Sequence, residues 1–314
     1  MAKELSVSEQ APIKNVLTIN AEDWFQSPEV SSIIGREQWE RCEHRLEAMT
    51  YRLLALLEQA AVRATFFVLG WNAEHYPGLV REICRRGHEV AIHGYQAEPV
   101  YRQTATQFAW EINRCQQLME EIAGEPAVGY RAAGFSVGEG SLWALEVLAE
   151  HGIKYDSSCL PARRGRGLPD WCQPYRVARA GKSLLAEFPV SPVWLAGWQA
   201  GYAGGGHLRF LPYRVTAGAL RRLNRRGLPG VVYLRLWELD TGQPRQRLHP
   251  WQYLRRYGNL EEAEPKLERL LLEFAFAPMR QVLREQGERL PVFEIGAGGS
   301  WASAKRQEGH PQTT

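Results

Sequence analysis

The sequence predicts an α/β fold in which about six or seven parallel strands, each followed by a helix, form a barrel or an incomplete barrel. Three observations carry this. Short apolar runs alternate with amphipathic stretches over most of the 314 residues. One run, Ala64-Thr65-Phe66-Phe67-Val68-Leu69, is apolar almost without a break, as a strand buried on both faces must be. No Gly-x-Gly-x-x-Gly or Gly-x-x-x-x-Gly-Lys run follows any strand, so a nucleotide-binding sheet would lack its phosphate cradle.

The elements follow in order. Val16 to Asn20 is the first strand, and Arg45 to Ala61 has the apolar spacing of an amphipathic helix. After the Ala64–Leu69 strand, Pro77 to Arg86 reads as a helix with proline in its first turn and Gly87 closing it. His88 to His93 is a third strand, Thr104 to Ile122 a helix, and Val128 to Arg131 a fourth strand. A helix from Gly140 to His151 leads to a short strand, Ile153 to Asp156. From Ser158 to about Gly206 the prolines and Gly204-Gly205-Gly206 predict a long irregular insertion around one strand, Leu184 to Val190. Helix and strand then return as Val215 to Arg226, Gly230 to Glu238, and Pro265 to Gln286 with a break near Pro278. The expected organisation is one domain over 15–295, between a flexible segment 1–14 and a frayed tail 296–314 that follows Val292-Phe293-Glu294-Ile295.

Composition narrows the partners. With 45% hydrophobic and 11% aromatic residues the chain can bury a sizeable core. A net charge of +3, from 38 basic and 35 acidic residues, makes no case for nucleic acid. Local runs such as Arg163-Arg164-Gly165-Arg166 read as solvated faces. Five widely spaced cysteines, an odd number with no Cys-x-x-Cys pair, fit reduced thiols in a cytoplasmic protein. Met1 to Gln10 lacks the apolar core of a signal peptide, and no stretch approaches the roughly 18 apolar residues of a membrane span.

In a barrel, chemistry belongs at the carboxyl ends of the strands. That rule selects Asn20, Glu22 and Asp23, then Trp71 and Asn72, His93-Gly94-Tyr95, Arg131, Asp156-Ser157-Ser158, and the late group Arg235, Trp237 and Glu238. Two adjacent carboxylates after the first strand suggest a metal site or a general base, but Asn20 is an amide and takes no proton in the physiological range. Glu22 and Asp23 are either cation ligands or caps of the turn that pair with Arg131 or Arg235. Trp194, Trp198, Tyr202, Trp71, Trp237 and Trp251 are either sugar-stacking faces or core residues.

The segments Asn20-Ala21-Glu22-Asp23-Trp24-Phe25, Arg63 to Gly70, Gly87-His88-Glu89-Val90-Ala91-Ile92-His93-Gly94-Tyr95, Tyr130 to Ser136, Tyr155 to Ser158 and Tyr233 to Asp240 together resemble the polysaccharide deacetylase family, carbohydrate esterase family 4. The likeness is to its branch associated with exosortase and exopolysaccharide gene clusters, and it runs from about Asn15 to Arg280. It implies a distorted (β/α) barrel of about seven strands. It also implies removal of N-acetyl groups from a saccharide or lipid-linked saccharide, by water activated on a divalent metal, usually zinc.

Carried over residue by residue, the resemblance gives a mixed result. Asn20 stands where the family has its base aspartate. His93-Gly94-Tyr95-Gln96-Ala97 stands for His-Gly-Tyr-Asp-His, so a metal histidine is replaced by Ala97. Leu234-Arg235-Leu236-Trp237-Glu238 stands for Leu-His-Pro-Trp-Glu, so the acid histidine is Arg235. Arg131 is kept. The implied ligands are Glu22 or Asp23 with His93, and the implied substrate contacts are Tyr95, Phe135, Asp156, Trp237 and Glu238. Each lost acid or base typically costs about 10²- to 10⁴-fold, so the expectation is a degenerate centre on an intact scaffold. Such a protein binds a saccharide or an exopolysaccharide-assembly partner; the alternative is a deacetylase that still turns over.

Overall fold

β1 (Asn15–Ala21) lies at the heart of the sheet, and all seven of its residues are buried. The structure is a computed structural model, and it describes residues 12–160, 173–195, 198–296 and 300–301, with the side chains of 194–200 outside that description. The expected flexible ends therefore lie almost wholly outside the described residues, as do Arg163–Arg166 and the side chains of Trp194 and Trp198.

The strands that follow are β2 (Thr65–Val68), β3 (Glu89–Ile92), β4 (Gly129–Tyr130), β5 (Tyr155–Asp156), β6 (Tyr175–Arg179), β7 (Lys182–Glu187), β8 (Pro192–Leu195), β9 (Trp198–Tyr202), β10 (Val231–Arg235), β11 (Phe276–Ala277) and β12 (Val292–Ile295). The main sheet runs β10-β1-β2-β3-β4-β5-β7-β6-β12, with β11 added to β1. Its first seven strands are parallel and close on themselves: beyond β7 the chain returns to β10, where Ser191 N–H donates to Val231 O (3.0 Å) and Val231 N–H to Ser191 Oγ (2.8 Å). This is the expected distorted α/β barrel.

The helices are α1 (Leu46–Gln59), α2 (Gly70–His75), α3 (Pro77–Arg85), α4 (Ala105–Ala123), α5 (Trp143–Glu150), α6 (Gly205–Phe210), α7 (Tyr213–Asn224), α8 (Pro250–Tyr257), α9 (Ala263–Glu273) and α10 (Met279–Gln286). They pack on the outward side chains of the barrel, Leu17, Ile19, Phe66, Val68, Val232 and Leu234 among them. The inward set is different. Val16, Phe67, Ala91, Tyr155, Ala186 and Val231 form a separate apolar cluster that Met279 and Val282 of α10 plug. Period-two alternation along β1 therefore sends Val16, Thr18 and Asn20 inward and Leu17, Ile19 and Ala21 outward.

Two expectations need correction. The stretch 158–206 is not an irregular insertion around one strand, because β6 to β9 all lie within it. β6 and β7 form an antiparallel hairpin whose turn residues, Ala180 (φ 49°) and Gly181 (φ 78°), both take the left-handed conformation that matches strand twist. Ala-Gly is a weaker turn signal than Asn-Gly, so the sequence hid the hairpin. Likewise the strand expected over Gly230–Glu238 ends at Arg235 and becomes a short helical turn, Leu236–Leu239. Among the described residues no helix is long and apolar enough to cross a membrane, and the four described cysteines are free.

Candidate active site

Parallel register delivers the last residues of several strands to one rim. Asn20 pairs with Phe67 on one side and Arg235 on the other, and Ile92, Tyr130 and Asp156 align across β3, β4 and β5. The next residues along, His93 and Arg131, come within reach of Asn20 and of Glu22, which continues the inward face of β1.

Arg131 is the centre of this arrangement. Its guanidinium is fully buried and donates to Thr18 Oγ1 (2.8 Å), Asn20 Oδ1 (3.0 Å), Ser157 O (3.1 Å) and Ser157 Oγ (2.8 Å), lying 4.1 Å over the Phe67 ring. Among the described residues no carboxylate lies within ion-pair distance of it. Burial pushes its pKa down to about 10.

These bonds fix the hydrogens around His93. Because Asn20 Oδ1 accepts from Arg131, its amide Nδ2 faces His93 Nε2 at 3.0 Å. His93 Nδ1 lies 2.7 Å from Arg131 O, a carbonyl that can only accept, so Nδ1 carries a hydrogen. Glu22 Oε1 then lies 2.8 Å from the same Nε2, and that contact needs one hydrogen, which either atom can carry. Glu22 Oε2 is buried with no hydrogen-bond partner among the described residues.

Asp23 does something else. Being one residue out of phase with Glu22, it points to the helix side, where Oδ1 accepts from Trp24 N–H (2.8 Å) and Oδ2 from Arg45 N–H (2.8 Å) and Leu46 N–H (3.0 Å). It thus caps the turn after β1 and the start of α1. Burial pushes its carboxyl up despite those donors. Neither acid pairs with Arg131 or Arg235.

A catalytic zinc takes three protein ligands, and donors on one tetrahedral zinc, each about 2.1 Å away, stand about 3.3 Å apart. Here Glu22 and His93 supply two donors at 2.8 Å, Ala97 supplies none, and both Asp23 oxygens are engaged. Glu22, Asp23 and His93 are also not among the ligand groups that converge within 4.8 Å. The residues present do not fit the implied metal.

Arg235 faces inward beside Tyr233 and is met by a residue that strand ends do not reveal. Glu29, in the loop after β1, accepts from Arg235 at 3.1 Å, with Arg255 and Arg256 also within 4.0 Å of its carboxylate. Burial would raise the Glu29 pKa, but Arg235, then Arg256 and Arg255, outweigh it and hold the carboxyl at about 2. The charge of Arg235 is thus answered by a carboxylate of the chain itself.

Of the expected substrate contacts, Phe135 borders the site, half-buried 5.5 Å from the Arg131 guanidinium and 5.0 Å from Tyr233. Trp237 is buried under Arg256 (4.3 Å), and Glu238 accepts from Arg235 N–H (2.9 Å), so neither offers an open face. Asp156 is fully buried against Ser158 and Glu187. Tyr95 turns away after Gly94 (φ 76°), toward Glu74 and Trp110 on the flanking helices. Asn20, Glu22, His93 and Arg131 are themselves at most 3% exposed. Ser157 was expected at this rim; Thr18, Glu29, Arg256 and Glu187 were not foreseen, and while period two along β1 pointed to Thr18, nothing in the sequence pointed to Glu29.

Comparison with known proteins adds to this geometry. Residues 39–155 match the family model described as polysaccharide deacetylase, and residues 157–284 match a domain of unknown function, DUF3473. A peptidoglycan deacetylase of Helicobacter pylori is 33% identical over 109 residues, covering 35% of this chain and 36% of that protein. A peptidoglycan-N-acetylglucosamine deacetylase of Bacillus cereus is 31% identical over 98 residues, 31% of this chain and 36% of that one. The chain thus spans about a third of the length of each of these relatives. Among solved structures, a Mycobacterium smegmatis protein assigned to the polysaccharide deacetylases covers 90% of this chain and 96% of its own, at 20% identity and TM-score 0.59, a likeness of fold.

Proposed function

We propose, from the match of residues 39–155 to the polysaccharide deacetylase family model, that this protein is a deacetylase homologue of exopolysaccharide metabolism whose hydrolytic centre is degenerate. Its role in this reading is to bind a saccharide, a lipid-linked saccharide or an assembly partner. One observation carries it: Glu22 Oε1 rests directly on His93 Nε2 at 2.8 Å, with the Asn20 amide on the same nitrogen. In the reading, Asn20 replaces the base, Ala97 replaces a ligand, and Arg235, clasped by Glu29, replaces the proton-donating histidine. A permanently charged guanidinium cannot shuttle a proton at neutral pH. We read 15–295 as one domain, since β1 lies before both matched stretches and pairs with a strand from each. The cysteine usage supports a cytoplasmic location.

An alternative, a zinc-dependent deacetylase with residual turnover, draws support from Glu22 Oε2, whose missing partner a cation could supply. Acetate release from acetylated chito-oligosaccharides separates the two. We expect none from the wild type, and activity appearing in the combined variant Asn20→Asp, Ala97→His, Arg235→His. Turnover in the wild type that is lost, together with a bound metal, in His93→Ala and Glu22→Ala would reverse the assignment.

A further inference from the structure

The buried acids away from this centre make a second arrangement. Asp156 ends β5, Glu187 ends β7, and the two stand opposite each other in register. Cys159 follows three residues after Asp156, and its N–H donates to Glu187 Oε1 at 3.0 Å. A ligand atom of each, the cysteine Sγ included, lies within 4.8 Å of the others. Both acids are fully buried and Cys159 is 7% exposed. Each carboxylate has one oxygen held: Asp156 Oδ1 by Ser158 Oγ (2.5 Å), Glu187 Oε1 by the Cys159 amide. The other two, Asp156 Oδ2 and Glu187 Oε2, are buried without a hydrogen-bond donor among the described residues.

Two carboxylates enclosed this closely cannot both stay ionised unless a proton or a cation is supplied between them. The thiol decides which cation suits: carboxylates alone favour magnesium or calcium, and a sulfur beside them shifts the choice toward zinc. We propose that Asp156 Oδ2, Glu187 Oε2 and Cys159 Sγ hold a buried structural divalent cation of the zinc type, at a place separate from Glu22 and His93. Three protein donors with a fourth position for water match zinc's usual number. The Tyr175 side chain lies close enough to Cys159 to act on its thiol, and it is placed to supply the outer hydrogen bond that steadies a metal-bound thiolate. Charge balances as well, since the cation and the Arg131 guanidinium, whose field reaches both acids, cancel two carboxylates and a thiolate.

The site is enclosed, so the ion has to be offered while the chain folds. The full chain expressed in cobalt-supplemented medium is expected to carry one cobalt with thiolate-to-cobalt charge-transfer absorption in the near ultraviolet. Cys159→Ser should abolish that band and lower retained metal at least about tenfold, and His93→Ala should leave both unchanged. X-ray absorption at the zinc edge of the zinc-grown wild type should show one sulfur among oxygens, a readout that stands even where Cys159→Ser fails to fold. A wild type without the band, in which a shared proton suffices, overturns the proposal. So does a band that survives Cys159→Ser, or a zinc shell of nitrogen without sulfur.

Discussion

His88 and His93 flank the same four-residue strand, β3, at opposite ends of the barrel, and their surroundings differ in kind. His88 sits at the amino end. Its Nδ1 accepts from Ala64 N–H (3.1 Å) and its ring meets the edge of Phe66 (5.3 Å). Beside it, Glu89 is fully answered: Oε2 by the Thr65 hydroxyl (2.8 Å) and Arg280 N–H (2.9 Å), Oε1 by the Tyr155 hydroxyl (2.8 Å). His93 sits at the carboxyl end with Nε2 claimed by both Asn20 and Glu22, and Glu22 Oε2 goes unanswered. Proteins leave few buried polar groups unpaired, and those that are left tend to mark function. The barrel thus leaves its buried polar groups paired at the end that holds it together and unpaired at the end where barrels place their chemistry.

The largest test of that contrast makes the same change at both ends. Glu89→Gln puts a donor amide where the carboxylate received only donors, so it should cost about 2–3 kcal/mol in chemical denaturation. Glu22→Gln supplies the hydrogen that the His93 contact needs, and should change stability by less than about 1 kcal/mol. Equal losses at the two sites would break the comparison.

Acid sharpens it next. Burial, with Arg63 and Arg86 adding to it, pushes the His88 pKa down from 6.5 to about 4. As pH falls, the unfolded chain therefore takes up this proton before the folded one does. The stability His88 contributes is present in full above pH 6.5 and is lost progressively toward pH 4. Its size is about 2 kcal/mol once partial solvent screening is allowed for. Stability measured from pH 7 to 4 should fall by that amount in the wild type and more shallowly in His88→Gln, whose side chain can still accept from Ala64. An unchanged slope in the variant would move the acid sensitivity elsewhere.

Much of this contrast was legible before the structure. Strand-end reasoning gathered Asn20, Glu22, His93 and Arg131 correctly in space, because parallel register puts the last residue of each strand on one rim. The choice between Glu22 and Asp23 was left open, although the two-residue period from Val16 through Thr18 and Asn20 to Glu22 carries the signal that separates them. Other contacts had no such signal. Glu29 reaches Arg235 from an irregular loop, and Glu187 reaches Asp156 only because β7, and not β6, adjoins β5. Tyr95 follows two residues after His93, yet the left-handed Gly94 between them sends it to the helices. Sequence periodicity carries information along an element and stops where the backbone leaves one.

The smallest effect concerns the backbone beside each histidine. Ala61, which leads into β2 at the amino end, and Ala97, four residues past His93 at the carboxyl end, both take φ near +50° (51° and 56°), where a Cβ crowds the chain. Glycine at either place relieves that crowding at the expense of a floppier unfolded chain, for a net gain of about 0.5–1 kcal/mol. Ala61→Gly should show the full gain, because the helix end and strand start around it hold that turn whatever the side chain. Ala97→Gly should show as much only if the turn after His93 is held equally firmly by its own bonds, Tyr95 N–H on Glu111 and Tyr95 on Glu74. A denaturation midpoint that rises for Ala61→Gly and falls for Ala97→Gly would mean that the carboxyl-end turn depends on the residue at 97 for its shape, extending the contrast between the two ends from side chains to backbone.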